Sequence, residues 1–372
     1  MKRIRICHVI DASTYNRLLY NSLKFSDRDK FEYVVISLAP RGILHKQMEE
    51  LGIASFAMNC VSRRQYASTI VRLARTMRRQ KFNIVQVHSF EGSVVGLIAA
   101  RLANVPVRIF SGHHSHEIPL YNSKRLLMFD GFFSKRLATN IMAWSANMKE
   151  IFVKAFGALE SRVSIIHHGM DLEKWFLESQ RTAGLREELG LVNKTILGTV
   201  GRLFWVKDLE RLIDVFASIA EGRDDLALVI VGEGEDRPKL EHVIESKHLR
   251  SKVFLTGKRD DIAVVMNSFD VYVHTALAES FGLVLIEALA LGKPIVTSRV
   301  GIAEEVITEG ENGFLFEAGN SAGLRSALES ALDERTRWGE MGGKNQDIAK
   351  RFAIQATQEK CDRFYASLVE GL

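Results

Sequence analysis

Short apolar runs rich in β-branched residues alternate with longer amphipathic segments along most of the chain. In the first half these runs are residues 4–10, 31–38, 83–89, 107–112, 140–145 and 163–167. The alternation resumes with residues 195–201, 227–232, 253–257, 271–275 and 294–298. Such runs are typical of buried parallel strands, and intervening segments such as residues 209–221 and 237–247 have helical periodicity. The pattern predicts an α/β protein with two doubly wound parallel sheets.

The polar segment of residues 171–193 has no strand pattern and predicts the boundary between the two sheets. We therefore expect a Rossmann-like N-terminal domain over residues 1–175 and a Rossmann-like C-terminal domain over residues 176–350. Residues 339–372 are helical in pattern, and residues 351–372 are expected to pack back on the N-terminal domain as a C-terminal helix. The 372 residues suffice for two cores of ordinary size.

Composition argues against several classes of protein. The apolar runs fall short of the ~18 residues that a membrane-spanning helix needs, since the longest candidate, residues 281–292, is interrupted by Glu287. Residues 1–10 are too short and too polar for a signal peptide core. Cys7, Cys60 and Cys361 are odd in number and far apart, which favours neither a disulfide framework nor a thiolate metal site. We expect a cytoplasmic protein.

The net charge of +5 conceals an asymmetry between the two halves. Residues 1–175 contain 26 Lys and Arg against 13 Asp and Glu, a balance of +13, and the remainder contains 24 against 32, a balance of −8. The basic half favours an anionic partner such as a membrane surface, a phosphorylated acceptor or nucleic acid, although a solvated basic surface has the same composition. Nucleic acid is the least favoured, because no binding module or aromatic and basic interleaving is evident.

The most informative segment, Glu279-Ser-Phe-Gly-Leu-Val-Leu-Ile-Glu287, follows a predicted strand and opens a helix. Ser280 is expected to cap this helix. The cap would leave three backbone N–H groups available to an anion, those of Phe281, Gly282 and Leu283. Parallel sheets bind nucleotides at such strand-to-helix turns. The segment therefore predicts a phosphate site.

Two carboxylates flank this phosphate site. Glu287 falls inside the apolar run of residues 283–291, where an ionised carboxylate needs hydrogen-bond donors. The hydroxyls of a ribose would supply them, and a neighbouring Arg or Lys is the alternative. Glu279 precedes the helix and is placed to face a sugar beyond the phosphates.

A second anion feature ends the first strand of the C-terminal domain. Gly201 permits a tight turn, and Arg202 and Lys207 could neutralise a diphosphate, although two surface cations are the common alternative. Gly232 ends the next strand, but Arg237 stands where a dinucleotide fingerprint has its third glycine. NAD binding is therefore weakly supported, and Gly232 is expected to shape a turn.

In this order, the segments resemble the retaining glycosyltransferases of family 4, which have the GT-B fold of two Rossmann-like domains facing a cleft. The most specific match is Glu279 and Glu287 with seven residues between them, followed by Gly-Lys-Pro-Ile-Val at residues 292–296. Weaker matches are Gly201-Arg202 with Lys207, residues 232–234 with Leu240, residues 168–171 and Gly313-Phe-Leu. The resemblance covers nearly the whole chain.

The resemblance implies roles for several residues. Arg202 and Lys207 would bind the donor diphosphate, Glu287 the ribose and Glu279 the transferred sugar. His113 matches the position of a family histidine beside that sugar, whereas the neighbouring histidines 114 and 116 are expected on the surface, a three-histidine metal cluster being the alternative. Residues 11–15 and 300–306 depart from the family pattern, so the resemblance does not define the acceptor contacts.

The resemblance also implies a reaction. It is a metal-independent transfer, with retention at the anomeric carbon, from a nucleotide-sugar to a glycan or lipid-linked acceptor, as in polysaccharide biosynthesis. No cofactor and no metal site are expected, and a UDP-sugar is favoured over a GDP- or ADP-sugar as the donor substrate.

Two other functions are compatible with this architecture. A nucleotide-sugar epimerase would share the nucleotide site, but it needs acid–base carboxylates near the sugar, for which Glu91 and Glu117 are the candidates. A non-catalytic partner of a membrane assembly would have no use for the carboxylates and cations of the predicted site, so their presence favours an enzyme.

Residues 62–81 contain seven basic residues and no acidic one. If residues 67–80 are helical, an apolar stripe forms from Ile70, Leu73, Ala74 and Met77. A separate basic face then forms from Arg72, Arg75 and Arg79. Such a helix can lie in anionic headgroups with its stripe inward, which would place the protein peripherally at the inner face of the membrane. Packing of the stripe on the first sheet is the alternative.

Overall fold

The computed structural model describes residues 3–14, 16–111, 128–129, 131–180 and 184–370. The chain divides into two compact units, and each unit has its own parallel sheet. Unit 1 comprises Met1–Gly169 and Ile354–Leu372, and unit 2 comprises Met170–Ala353. The chain thus passes from unit 1 to unit 2 after Gly169, whereas the sequence places this boundary at residue 175. The predicted α/β class with two doubly wound sheets is confirmed.

Unit 1 contains a seven-stranded sheet in the order β3-β2-β1-β4-β5-β6-β7. Its strands are β1 (Ile4–Ile10), β2 (Phe31–Ser37), β3 (Ala54–Ala57), β4 (Ile84–His88), β5 (Val107–Ser111), β6 (Asn140–Ala143) and β7 (Val163–Ile165). The central strand β4 is buried along its whole length, including its polar residues Gln86 and His88. Strand β3 is absent from the sequence prediction because it is a short edge strand of exposed and half-buried residues.

Unit 2 contains a six-stranded sheet in the order β10-β9-β8-β11-β12-β13. Its strands are β8 (Thr195–Val200), β9 (Leu226–Val231), β10 (Val253–Gly257), β11 (Val271–His274), β12 (Ile295–Ser298) and β13 (Gly313–Phe316). All six residues of β9 are buried. Strand β13 has only four residues and was not among the predicted strands, although Gly313 stood out as part of a motif.

Helices connect the strands of both units. In chain order they are α1 (Arg17–Phe25), α2 (Ile43–Glu50), α3 (Tyr66–Gln80), α4 (Phe90–Leu102), α5 (Ala146–Glu150), α6 (Leu172–Ser179), α7 (Leu185–Glu188), α8 (Leu209–Ile219), α9 (Arg237–Ser246), α10 (Ile262–Asn267), α11 (Leu283–Ala290), α12 (Ala303–Val306), α13 (Ser321–Asp333), α14 (Trp338–Ala349) and α15 (Ile354–Ser367). Within the described residues, no helix combines the length and apolar character needed to cross a membrane.

The final helix, α15, packs on unit 1. Gln358 accepts a hydrogen bond from the Ser22 hydroxyl at 2.7 Å, and Asp362 accepts one from the backbone N–H of Asp27 at 3.0 Å. Farther along the helix, the Tyr365 hydroxyl donates to the side chain of Gln86 in strand β4. These contacts tie α15 both to α1 and its following turn and to the centre of the sheet.

Helix α3 is the predicted basic helix, but its apolar stripe is buried in unit 1. The core of this unit includes three members of the stripe, Leu73, Ala74 and Met77. Ile70 packs against that core. The predicted insertion of this stripe into a membrane is therefore wrong, because the same side chains already cover the sheet. The side chains on the basic face are exposed, namely Arg72, Arg75 and Arg79.

Each unit contains a buried histidine that is neutral in the folded state. In unit 1, the ring of His8 lies against His88, with 2.9 Å between His8 Nδ1 and His88 Nε2, and burial lowers the pKa of His8 to about 3. In unit 2, burial and the nearby Lys207 lower the pKa of His274 to about 3. Both histidines therefore bind protons more readily in the unfolded chain.

We expect the buried histidines to make the protein sensitive to mild acid. Stability should be complete above the unfolded pKa of about 6.5 and should fall as the pH drops towards 3, with each histidine costing about 2 kcal/mol at pH 5. Urea unfolding at pH 7.5 and pH 5 measures this loss. His8→Gln should lose about 2 kcal/mol less than the wild type, whereas His242→Gln, at an exposed site, should lose as much as the wild type. An unchanged loss in His8→Gln would contradict the expectation.

Candidate active site

The candidate site lies at the carboxyl edge of the unit 2 sheet, where β8 and β11 are neighbours. From β8 the chain continues to β9 on one side of the sheet, and the later strands β11, β12 and β13 extend on the other side. The crevice outside such a reversal in strand order is the usual ligand site of an open α/β sheet. Every described residue that the sequence assigns to donor binding follows β8, β9 or β11.

Two glycines bring the turns after β8 and β9 into backbone contact. Gly232 has a φ of +140°, and a Cβ atom on it would lie 1.8 Å from the carbonyl oxygen of Gly201. The Gly201 N–H donates to the carbonyl of Val231 at 3.0 Å, and the Leu203 N–H donates to that of Glu233 at 2.9 Å. Gly232 thus shapes a turn that only a residue without a side chain can form.

The two predicted cations line one pocket. Arg202 is exposed, and its guanidinium carbon lies 5.1 Å from the centre of the Phe204 ring. Lys207 ends the short helical turn Trp205–Lys207, and its carbonyl accepts a hydrogen bond from Thr275 Oγ1 at 2.7 Å. Residues from β8, β9 and β11 complete the pocket, including Thr199, Ile230 and His274. The strand edge thus holds a guanidinium and an ammonium group beside a small cavity.

Glu279 binds Lys207 at this pocket. Its Oε2 atom lies 2.6 Å from Lys207 Nζ, and its Oε1 atom accepts a hydrogen bond from the Ser280 N–H at 3.2 Å. The side chains of Lys207 and Glu279 are 22% and 16% exposed, so water screens this ion pair less than a surface pair. The sequence assigned these residues to different parts of a ligand, and the structure shows that they also contact each other.

Helix α11 begins later than predicted. Its N-cap is Gly282, with a φ of +90°, rather than Ser280. This left-handed conformation excludes Ser280 and Phe281 from the helix. Phe281 is buried, and its carbonyl accepts a hydrogen bond from the Ile302 N–H at 2.8 Å. The predicted N-cap at Ser280 is therefore wrong, because the helix proper starts at Leu283, and the phosphate site at the amides of Phe281, Gly282 and Leu283 stays a prediction.

Glu287 lies inside α11 and is only 3% exposed. Its backbone carbonyl accepts a hydrogen bond from Trp175 Nε1 at 3.2 Å, which fixes α6 against α11. On the sheet side lies Tyr272, whose hydroxyl faces the carbonyl of Val200 at 3.5 Å. Burial and the negative charge of Glu287 raise the pKa of Tyr272 above its usual range. The carboxylate of Glu287 is thus near the ends of β8 and β11.

The remaining candidates belong to unit 1. His113, its neighbouring histidines and Glu117 lie outside the described residues. Glu91 pairs with Arg63 at 2.8 Å and accepts a hydrogen bond from the Tyr66 hydroxyl, so these residues already engage this candidate acid–base group of an epimerase. Among the described residues, no three His, Cys, Asp or Glu side chains are grouped so that they could hold a metal ion.

Sequence reasoning missed His274 and Thr275. His274 ends β11 and is 2% exposed, with its Nε2 atom 3.8 Å from Glu279 Oε2. Thr275 holds the backbone of Lys207. A signal was available, because both are polar residues at the carboxyl end of an apolar strand directly before the Glu279 segment.

Two family models match consecutive parts of the chain. The model described as Glycosyltransferase Family 4 matches residues 16–174, and the model described as Glycosyl transferases group 1 matches residues 183–350. Together they cover most of both units.

Curated relatives match over most of their length. The UDP-Gal:alpha-D-GlcNAc-diphosphoundecaprenol alpha-1,3-galactosyltransferase of Escherichia coli is 28% identical over 277 residues, which are 72% of this chain and 70% of the relative. The capsular polysaccharide biosynthesis glycosyltransferase CapM of Staphylococcus aureus is 22% identical over 389 residues, 100% of this chain and 99% of the relative.

Solved structures share the fold. Anabaena HepE in complex with UDP-glucose has a TM-score of 0.80 at 23% identity, covering 100% of both chains. WaaG, a glycosyltransferase involved in lipopolysaccharide biosynthesis, has a TM-score of 0.71 at 17% identity, covering 97% of this chain and 99% of WaaG. These likenesses confirm the GT-B fold.

Proposed function

Because the chain belongs to the family 4 and group 1 glycosyltransferases, we propose that it transfers a sugar from a UDP-sugar to a glycan or lipid-linked acceptor. The observation that carries this proposal is the convergence of Arg202, Lys207 and Glu279 at the carboxyl edge of β8 and β11. A nucleotide-sugar presents a diphosphate, a ribose and a sugar. This site offers two cations for the diphosphate, and it offers carboxylates for the ribose and the sugar.

The two cations are suited to the leaving group. As the bond between the anomeric carbon and the phosphate oxygen breaks, negative charge accumulates on the departing diphosphate. Arg202 can bind its oxygens through a planar fork, and Lys207 can act as a point charge. Together with the positive end of α11, which begins four residues after Glu279, these groups would supply charge that a divalent cation supplies in other enzymes. On this basis the proposed reaction is metal-independent and needs no cofactor besides the donor substrate.

Retention at the anomeric carbon is also part of the proposal. A double displacement needs a carboxylate nucleophile beside the sugar. Glu279 is engaged by Lys207 and by the Ser280 N–H, and both contacts stabilise its charge and reduce its nucleophilicity. This arrangement favours attack by the acceptor hydroxyl on the face that the diphosphate leaves, with its proton passing to the departing phosphate.

The choice of UDP is supported by the relatives. The E. coli relative is named as a UDP-Gal-dependent transferase, and HepE has been solved with UDP and glucose. In our proposal Glu287, which is 3% exposed, accepts hydrogen bonds from the ribose hydroxyls, and these bonds stabilise the charge of the buried carboxylate. The E. coli relative's name includes a diphosphoundecaprenol lipid, and CapM is named for capsular polysaccharide biosynthesis, which supports a lipid-linked or glycan acceptor.

A nucleotide panel tests the proposed function. We expect UDP to raise the melting temperature more than GDP or ADP, and we expect UDP release from a UDP-sugar to be equal in chelator and in added manganese. The product of an α-linked donor should be the α-anomer. Stabilisation by GDP alone would contradict the choice of donor, strict dependence on manganese would contradict the metal-free reaction, and a β-linked product would contradict retention.

Contact with an anionic membrane is proposed for unit 1. The exposed arginines of α3 carry positive charge even though the apolar stripe of that helix is buried. A second surface supplies apolar groups, because Met128, Phe129 and Phe132 are 69%, 49% and 52% exposed. Met128 and Phe132 line a groove together with Lys135 and Arg136. Apolar side chains beside cations suit the headgroup region of an anionic bilayer.

Vesicle co-sedimentation tests this contact. Each basic residue near an anionic surface contributes about 1 kcal/mol, so changing Arg72, Arg75 and Arg79 together to Glu should weaken binding at least about 100-fold. Binding should rise with the anionic lipid fraction and fall with salt. The unit 2 variant Arg325→Glu, at an exposed position, is the control and should bind like the wild type. Absence of wild-type binding at low salt would end the membrane proposal and favour a soluble acceptor.

A further inference from the structure

His274 carries a buried nitrogen without a hydrogen bond. The residue is 2% exposed at the end of β11, and its ring is stacked on Tyr272 with 6.4 Å between ring centres. Within the described part of the chain, His274 Nε2 has no hydrogen-bond partner. Leaving a buried polar atom unpaired is costly, so its presence beside a ligand site calls for a function.

The group that faces this nitrogen is Glu279. His274 Nε2 lies 3.8 Å from Glu279 Oε2, which is beyond hydrogen-bond distance. The same oxygen is held by Lys207 Nζ at 2.6 Å. Histidine and lysine therefore converge on one carboxylate oxygen, and of these two groups it is the lysine that lies within hydrogen-bond distance of it.

The ring of His274 is neutral, unlike the ion pair of Lys207 and Glu279 beside it. Burial and the adjacent Lys207 lower the pKa of His274 to about 3, so its ring is neutral near pH 7. A neutral imidazole can donate one N–H to a carboxylate without adding charge to the site. The neutral ring therefore cannot replace Lys207 in the ion pair. It can donate a hydrogen bond to Glu279 Oε2 once Lys207 has moved away.

Under the proposed function, donor binding would draw Lys207 away from Glu279. A diphosphate brings several anionic oxygens to the pocket that Lys207 and His274 both line. As Lys207 turns towards them, its ion pair with Glu279 breaks, and the side chain of Glu279 is only 16% exposed to water. A movement of about 1 Å would bring Glu279 Oε2 within hydrogen-bond distance of His274.

We propose that His274 is a positioning residue. When the donor diphosphate binds and Lys207 turns towards it, the Nε2–H of the neutral His274 ring donates a hydrogen bond to Glu279 in place of Lys207. This exchange holds the carboxylate of Glu279 at the transferred sugar after its ion pair has been broken. The inference rests on the proposed function, because it requires a diphosphate-bearing donor at the unit 2 site.

Two substitutions separate this role from packing. His274→Phe keeps a ring against Tyr272 and removes the donor, whereas His274→Gln places an amide N–H near the position of Nε2. We expect His274→Phe to lower kcat about 10- to 100-fold, with the Kd for UDP changed less than twofold, because the lost bond goes to a charged group and forms only in the donor complex. His274→Gln should recover most of kcat.

Stability provides the contrasting readout. Because phenylalanine removes the unpaired nitrogen, the melting temperature of His274→Phe should equal or exceed that of the wild type even though kcat falls. A purely structural residue would lower the melting temperature and kcat together. Wild-type kcat in His274→Phe, or equal losses in the Phe and Gln variants, would overturn the proposal.

A third measurement uses the wild type and therefore tests the proposal even if the His274 variants do not fold. With ¹⁵N-labelled histidine in the wild-type chain, addition of UDP should shift the His274 Nε2–H resonance and leave the nitrogen protonated; an unprotonated Nε2, or a resonance that UDP does not move, would overturn the inference. Failure of the proposed function is distinct, because the wild type itself would then neither bind UDP nor release it from a UDP-sugar.

Discussion

Replacing Lys207 by alanine is expected to lower the rate of UDP release from a UDP-sugar about 100- to 1000-fold. The ammonium group lines the pocket and is one of two cations placed to neutralise the departing diphosphate. Removing one preorganised group that stabilises transition-state charge typically costs about 3–4 kcal/mol. The effect should fall on kcat more than on KM, because the charge on the diphosphate is greatest in the transition state.

Single-turnover kinetics with a saturating UDP-sugar measures this effect. The control is Lys344→Ala, which removes a lysine of α14 that is 42% exposed and paired with Glu340. That variant should retain full activity. Because the substitution also removes the ion pair between Lys207 and Glu279, melting temperatures of both variants are needed. A Lys207→Ala protein that is folded and fully active would contradict the role of this lysine.

Replacing Gly232 by alanine is expected to destabilise unit 2 by about 3–5 kcal/mol and to abolish UDP binding. The added Cβ would lie 1.8 Å from the carbonyl oxygen of Gly201, and that atom belongs to the backbone and cannot rotate away. The φ of +140° is also unfavourable for any residue with a side chain. The turns after β8 and β9 would have to separate, which moves Gly201 and Arg202.

Gly222→Ala is the matched control for this substitution. Gly222 also has a positive φ, +68°, but no atom lies within 4 Å of its potential Cβ position. Its replacement should therefore cost only about 1–2 kcal/mol, the backbone penalty alone. Urea unfolding of both variants at pH 7.5 gives the comparison. Equal losses would show that the contact between Gly232 and Gly201 contributes nothing.

Much of the fold could be predicted because parallel strands buried on both faces read as continuous apolar runs. The strands missed from the sequence are β3 and β13, which have four residues each and lie at sheet edges. Strands of only four residues are too short to leave a clear pattern. The stripe of α3 was recognised correctly, but amphipathicity alone does not tell whether a sheet or a membrane covers it.

The site was predictable by residue type and less so by geometry. Arg202, Lys207 and Glu279 were all identified, because cations and carboxylates after apolar strands are visible in the sequence. The cap of α11 was assigned to Ser280, since serine is a common N-cap, but the left-handed Gly282 starts the helix instead. The ion pair between Lys207 and Glu279 depends on the packing of two loops far apart in sequence.

The central claim is that unit 2 binds a UDP-sugar through the cations after β8. Calorimetric titration of UDP into the wild type, into Arg202→Ala and into Arg250→Ala tests it most directly. Arg250 is 74% exposed and pairs with Glu245, so it serves as the control. We expect the Arg202 variant to bind UDP at least about tenfold more weakly, since a bond between charged groups contributes about 1.5–3 kcal/mol, while the Arg250 variant binds like the wild type. Equal affinity in all three proteins, or no binding of UDP to the wild type, would contradict the account.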